Sequence, residues 1–160
     1  MFKPDRNWLA LDFDGVLCDS ATETAATAWR ASRRWAAGRP TLVPPAVCIE
    51  NFRAVRPILE VGYEAIILMR LIEARTPVPV IAANFPKLAE AEIAKLGTTI
   101  PELAEIFAKT RDQWIETDEP DWLAHHSFYP GTLAALRRCL AQTPVFIITT
   151  KQERFARQLL

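Results

Sequence analysis

The chain has 160 residues, half of them hydrophobic, and its 19 basic side chains are balanced by 19 acidic ones. That length and balance suit one globular domain, or one domain carrying an insertion, and argue against a chain whose main business is nucleic acid or an anionic membrane. No apolar run approaches the roughly 20 residues of a membrane span, and Asp12 and Asp14 break the first one, so the N-terminus does not read as a signal peptide.

Residues 8–13 form a short, nearly continuous apolar run, the pattern of a strand covered on both faces in a parallel sheet. Gly15 breaks it. From Ser20 to Ala37 the chain is Ala-rich, carries Trp29 and Trp35, and reads as helix until Gly38-Arg39-Pro40 stops it. Pro44-Pro45 keeps the next stretch extended. Residues 51–74 read as mostly helical, with Val55, Leu59, Gly62, Ile66 and Met69 on one apolar face. Pro57 inside that span either restarts the helix or kinks it. Thr76-Pro77-Val78-Pro79 is a break, and residues 86–96 form a shorter helix ending at Gly97. A helix over 99–117 carries the strongest local signals. Thr99 and Glu102 fit a capping box, Pro101 falls in the first turn, and Leu103, Phe107, Thr110 and Trp114 share a face. Glu105, Lys109, Asp112 and Glu116 lie away from that face. Residues 118–129 read as loop. Pro130-Gly131 opens a helix through Leu140, Val145-Phe146-Ile147-Ile148 is a second buried-type strand, and a last helix follows Thr149-Thr150-Lys151. Two strands thus flank a long helical block, the plan of a split α/β core with an all-helical insertion. Cys18, Cys48 and Cys139 are odd in number and lack metal-ligand spacing, which points to a reducing, cytoplasmic compartment.

The chemistry concentrates where the first strand ends. Asp12 and Asp14 are two carboxylates one residue apart, and a charge at the end of a buried strand is costly unless it meets a metal or a partner. In an open α/β sheet, ligands bind beyond the carboxyl ends of the strands, where Thr149 and Thr150 also stand. If the two strands are parallel neighbours, a carboxylate nucleophile, a second acid and a hydroxyl converge in a site for phosphoryl transfer. Plainer readings stand beside this one. The two acids would suit a helix cap or a solvated turn, Thr149 an ordinary strand-end hydroxyl, and Lys151 a helix-start charge. Asp19 and Ser20 read as caps of the first helix, His125-His126 as a polar loop pair, and Arg30, Arg33 and Arg34 as a solvated helix face. Arg53 and Arg56 are candidates to meet a substrate anion.

The run Asp12-Phe13-Asp14-Gly15-Val16-Leu17-Cys18-Asp19-Ser20 resembles the first motif of the haloacid dehalogenase-like hydrolases. Phe146-Ile147-Ile148-Thr149-Thr150-Lys151 resembles their second, and Tyr129-Pro130-Gly131 resembles the segment where phosphoglycolate phosphatase-like members return from cap to core. The resemblance implies a Rossmannoid parallel-sheet core with an all-helical cap between its first two strands. It divides the chain into core at 1–20, cap at 21–127 and core at 128–160. It also implies a Mg²⁺-dependent phosphatase of a small phosphorylated metabolite, with no nucleic-acid or membrane partner. Asp12 would be the nucleophile and Asp14 the acid/base. Mg²⁺ would be held at Asp12 and Asp14, the latter through its backbone carbonyl, while Thr149, Thr150 and Lys151 would bind substrate. The acid at Asp14 favours phosphatase or phosphotransferase over dehalogenation, and a phosphomutase stays open.

The resemblance also implies a core that is C-terminally incomplete, because the family's later lysine and acidic motifs have no counterpart before Leu160. The strand at 8–13 would then keep an open edge prone to self-association. An alternative follows from a different class of protein: a catalytically incomplete domain that binds an anion or a partner.

Overall fold

Prolines and apolar spacing cut most of this chain into helices. The computed structural model describes residues 8–36 and 41–160. In chain order, strand β1 (Leu9–Leu11) and the two-residue β2 (Cys18–Asp19) precede helix α1 (Ala21–Ser32), which tightens into a 3₁₀ turn at Arg33–Trp35. Helices α2 (Ala46–Val55), α3 (Glu64–Glu73), α4 (Val78–Leu96) and α5 (Ile100–Ala124) follow. The chain closes with β3 (Ser127–Phe128), α6 (Thr132–Leu140), β4 (Val145–Ile147) and α7 (Glu153–Leu159). It divides into two compact units, one of Ala21–Trp122 and one of Met1–Ser20 with Leu123–Leu160.

The expected α/β class, a Rossmannoid parallel-sheet core with an inserted helical cap, is overturned. Among the described residues the protein is mostly helical, with one two-stranded parallel pair and one two-stranded antiparallel pair. β1 lies parallel to β4, with Leu9, Ala10 and Leu11 opposite Val145, Phe146 and Ile147. β2 lies antiparallel to β3, with Cys18 opposite Phe128 and Asp19 opposite Ser127. The reason shows in the exposure of the β1–β4 pair. Leu9, Leu11, Val145 and Ile147 are half-buried, while Ala10 and Phe146 between them are exposed. Trp8 is 58% exposed and Ile148 65%. Both apolar runs read as strands buried on two faces, yet each buries one face only. Trp8 and Phe146 cover each other instead, edge to face with ring centroids 6.0 Å apart.

In the helical unit α1, α2, α3 and α4 pack on one another. Their core holds Trp29, Phe52, Val55, the run Ala65–Met69 and Ile81, and α5 adds Leu103 and Phe107. Of the two readings of Pro57 in the helical stretch over 51–74, restart or kink, the structure shows a break between two helices. α2 ends at Val55, Pro57 opens a 3₁₀ turn over Arg56–Ile58, and α3 starts at Glu64. Proline has no N–H to continue the helical ladder, so the break falls there. Gly62 sits in this connection rather than on a helix face, and the Phe107 ring occupies the space a Cβ would need, at 3.1 Å. The expected break at Thr76-Pro77-Val78-Pro79 separates α3 from α4, but α4 already starts at Val78. The shorter helix expected over 86–96 is thus the second part of a longer one. Asn84 leaves helical geometry (φ −134°, ψ 15°), and the helix resumes toward Gly97.

Arg30 and Arg33 are not a solvated face. Arg30 pairs with Asp121 at 3.3 Å and stacks 3.9 Å from the Trp114 ring centroid. Arg33 pairs with Glu73 and lies 3.8 Å over Trp29. Arg34 is exposed. The helix stop expected at Gly38-Arg39-Pro40, like the Ala37 end of that helix, lies outside the described residues. No helix among the described residues is long and apolar enough to cross a membrane.

Candidate active site

The unit that carries the acid pair is built on a small core of Phe13, Leu17, Cys18 and Ala156, flanked by Leu11, Phe128, Leu136, Ile147 and Leu159. Backbone bonds at both ends fix the parallel register: Leu9 N–H donates to Pro144 at 3.0 Å and Ile148 N–H to Leu11 at 2.8 Å. The chain past Leu11 therefore emerges beside the chain past Ile147. Phe13 is fully buried in the core, while Asp12 is exposed and Asp14 half-buried. The chain bends at Phe13, whose ring enters the core while the acids on either side of it stay outside it. A tight turn closes behind them. Leu17 and Cys18 N–H both donate to Phe13 (2.9 and 3.0 Å), and Gly15 N–H donates to Cys18 at 2.9 Å. Gly15 has φ +83°, a backbone conformation that disfavours any side chain.

The two carboxylates have different surroundings. Asp12 Oδ1 accepts the N–H of its neighbour Phe13 at 2.7 Å. Asp14 is clamped. Its Oδ1 accepts the Ser20 hydroxyl at 2.7 Å, and the Lys151 ammonium reaches Oδ1 at 3.1 Å and Oδ2 at 3.3 Å. The Lys151 side chain is 5% exposed, and its Nζ lies 5.6 Å from the Phe13 ring centroid. The Lys151 N–H donates to Thr149 Oγ1 at 3.1 Å, which ties the lysine's backbone to the strand end and leaves the threonine's own proton to donate. Thr149 is half-buried and Thr150 exposed.

The structure thus brings Asp14, Lys151 and Thr149 into one connected cluster with Ser20, and leaves Asp12 exposed just past the end of β1, two positions before Asp14. Sequence reading had Ser20 as a helix cap and Lys151 as a substrate contact; both engage Asp14. No local spacing could have announced the Lys151 bond, because 137 positions separate the partners. Arg53 and Arg56 lie in the helical unit, where Arg53 donates to Thr22 Oγ1 at 3.2 Å and Arg56 to the Leu59 carbonyl at 3.4 Å. Cys18 lies under the turn. Burial pushes its thiol up to about 11, Lys151 pulling it down and Asp14 adding to the rise. A thiol so protonated is no nucleophile near neutral pH.

Oxygen chemistry decides whether this site suits Mg²⁺. Among the described residues no group of three or more His, Cys, Asp and Glu side chains could hold a metal ion. Mg²⁺ needs fewer, since it keeps several waters and takes one or two carboxylates plus phosphate oxygens. The Asp12 carboxylate, with one hydrogen bond from Phe13, and the Asp14 backbone carbonyl, with none among the described residues, are hard oxygen donors with lone pairs to spare. That pair fits the ion. The Asp14 carboxylate, already taken by Ser20 and Lys151, does not.

Set against known proteins, the chain has no match among family models, curated proteins or solved structures.

Proposed function

We propose that the chain is a phosphomonoesterase of small phosphorylated metabolites that works through an aspartyl-phosphate, in the manner its first motif resembles in the haloacid dehalogenase-like hydrolases. The observation that supports this most is the unequal treatment of the two acids. Asp12 stands exposed at the strand end with an oxygen available for attack, while Asp14 is held in one orientation by Ser20 and Lys151. A nucleophile needs access, and a proton carrier needs a fixed position.

In the first step the Asp12 carboxylate oxygen bonds to phosphorus as the bond to the leaving oxygen breaks. Asp14, in its acid form, gives its proton to that oxygen, and the alcohol departs. In the second step the Asp14 carboxylate takes a proton from water as the water oxygen attacks the aspartyl-phosphate. The bond between Asp12 and phosphorus breaks, and inorganic phosphate leaves. Thr149, its Oγ1 accepting from Lys151 N–H, has its hydroxyl proton left for a phosphoryl oxygen. Mg²⁺ held by the Asp12 carboxylate and the Asp14 carbonyl would offset the repulsion between carboxylate and phosphate, about 4 kcal/mol for two unit charges 4 Å apart at an effective dielectric of 20.

The test is phosphate release from p-nitrophenyl phosphate with Mg²⁺. The chain should release phosphate, and Asp12→Asn should lower the rate by at least about a thousandfold, since it removes the group that forms the covalent bond. Equal rates for the two proteins would end this reading. One observation favours a second: among the described residues the site gathers no third acidic metal ligand. A catalytically incomplete domain that binds an anion or a partner would show no turnover at any Mg²⁺ concentration, yet still bind phosphate or a protein.

A further inference from the structure

Two carboxylates with one residue between them ought to attract a cation together, because the second adds both a negative charge and hard oxygen donors. Here a lysine stands in the way. Its ammonium, a compact point charge, spans both Asp14 oxygens at 3.1 and 3.3 Å. Its stem is nearly fully buried, and its head lies within cation–π range of the fully buried Phe13 ring. An ammonium desolvated this far is costly to leave without its carboxylate. The lysine's backbone is pinned as well, through Thr149 Oγ1. Asp14 Oδ1 already accepts two donors, Ser20 and Lys151. The Asp12 carboxylate carries no such guard: it is exposed and accepts one backbone N–H.

We propose that Lys151 bars divalent cations from the Asp14 side chain, so that two acids of one motif do different work. The metal is then confined to the Asp12 carboxylate and the Asp14 backbone carbonyl. Lys151 is then a positioning residue rather than a contact for the phosphate. This rests on the reading of the acid pair as a metal-assisted phosphoryl-transfer site.

The experiment titrates the full chain with Mn²⁺ and counts the free ion by electron paramagnetic resonance. Lys151→Met should bind Mn²⁺ about tenfold tighter than the unaltered chain, because a second carboxylate loses its counter-charge and becomes a ligand. Lys151→Gln, which keeps a hydrogen-bonding head without the charge, should show the same gain and stands in if the methionine variant fails to fold, as read from its helical circular dichroism. Lys151→Arg, which keeps the charge, should bind as the unaltered chain does. The gain should vanish when Asp14→Asn is added to Lys151→Met. A lysine with a merely structural role would weaken binding when removed. Equal or weaker Mn²⁺ binding in the folded neutral variants overturns the proposal, and so does a gain that survives Asp14→Asn. Phosphate release measured in parallel bears on the hydrolase reading alone: a chain that releases none, yet shows the tenfold gain in Lys151→Met, sinks that reading and leaves the guarding role of Lys151 in place.

Discussion

At the scale of single residues, the helical unit carries a carboxylate cut off from water, Glu23. It is fully buried on α1, and both its oxygens are engaged. Arg111 grips it with two bonds, Nε to Oε1 at 2.7 Å and Nη2 to Oε2 at 3.0 Å. The Trp122 indole donates to Oε1 at 3.1 Å and the Thr27 hydroxyl at 2.8 Å. The Arg111 guanidinium also lies 4.7 Å from the Phe107 ring centroid, one turn earlier on α5. Removing one member of a buried ion pair costs far more than the pair itself contributes, because it strands a charge away from water. Arg111→Met should therefore lower unfolding stability by about 3–5 kcal/mol, read from urea denaturation. The double variant Arg111→Met with Glu23→Gln should recover most of that loss. Sequence alone gives no sign of this network. Glu23 reads as an ordinary acid in the first turn of an Ala-rich helix, and its cation comes 88 residues later. The acid pair at Asp12 and Asp14 is legible for the opposite reason: both carboxylates, the glycine turn and the hydroxyl of Ser20 lie within nine consecutive positions.

At the scale of elements, local chemistry near a helix end was readable, and anything that depended on a distant partner was not. The capping box that opens α5 is the clearest case. Thr99 N–H donates to Glu102 Oε2 at 2.8 Å, the hydroxyls of Thr98 and Thr99 each reach it at 3.0 Å, and Glu102 N–H returns to Thr99 Oγ1 at 3.4 Å. Those bonds, the Thr99 backbone N–H first, hold the Glu102 carboxyl below its ordinary value of 4.5. A carboxyl depressed in the folded state stabilises above its unfolded pKa, and the benefit is lost as pH falls through that value and the lower folded one. Glu102→Gln should therefore cost stability at pH 7 and little at pH 3, in thermal melts run at both. Thr99→Ala should cost about 1 kcal/mol at pH 7. The far end of α5 shows why the expected loop over 118–129 is helical as far as Ala124. Asp118 leaves helical geometry (φ −156°, ψ 75°), and its Oδ1 accepts the Asp121 N–H at 3.1 Å, so it caps a fresh start in which Pro120 occupies the first turn. Asp-Glu-Pro carries the same start signal as the residues around Thr99, but in a stretch where the apolar spacing had lapsed.

At the scale of the whole molecule, the two units have unequal means of holding themselves together. The helical unit closes around Phe52, the five consecutive fully buried residues Ala65–Met69, Ile81 and Leu103, and Val55 is buried with them. Among the described residues, the unit with the candidate site has a central cluster of four buried residues and two strand pairs, of three and two residues. A two-stranded sheet is marginal unless something packs on it, and β1–β4 leaves Trp8, Phe146 and Ile148 exposed. The two apolar strands were legible as strands, while their parallel pairing stood in the sequence only as the condition for bringing the acids and Thr149 together, a condition the β1–β4 register meets. That each buries one face was not legible, because an unbroken apolar run carries no mark of which side meets the core. Local opening follows buried contact density, and here it divides by unit. Amides of Leu9–Leu11 and Val145–Ile147 should exchange with deuterium at least about a hundredfold faster than those of Ala65–Met69 on α3, as expected for about 2.7 kcal/mol less protection. Equal protection at both places would mean that the strands open only when the helices do, and that the site is held by the cooperativity of the whole chain. Unequal protection puts Asp12, Asp14 and Lys151 on the less stable part of the molecule, where binding of Mn²⁺ or phosphate should slow exchange at Leu11 and Ile147 while leaving Ala65–Met69 unchanged.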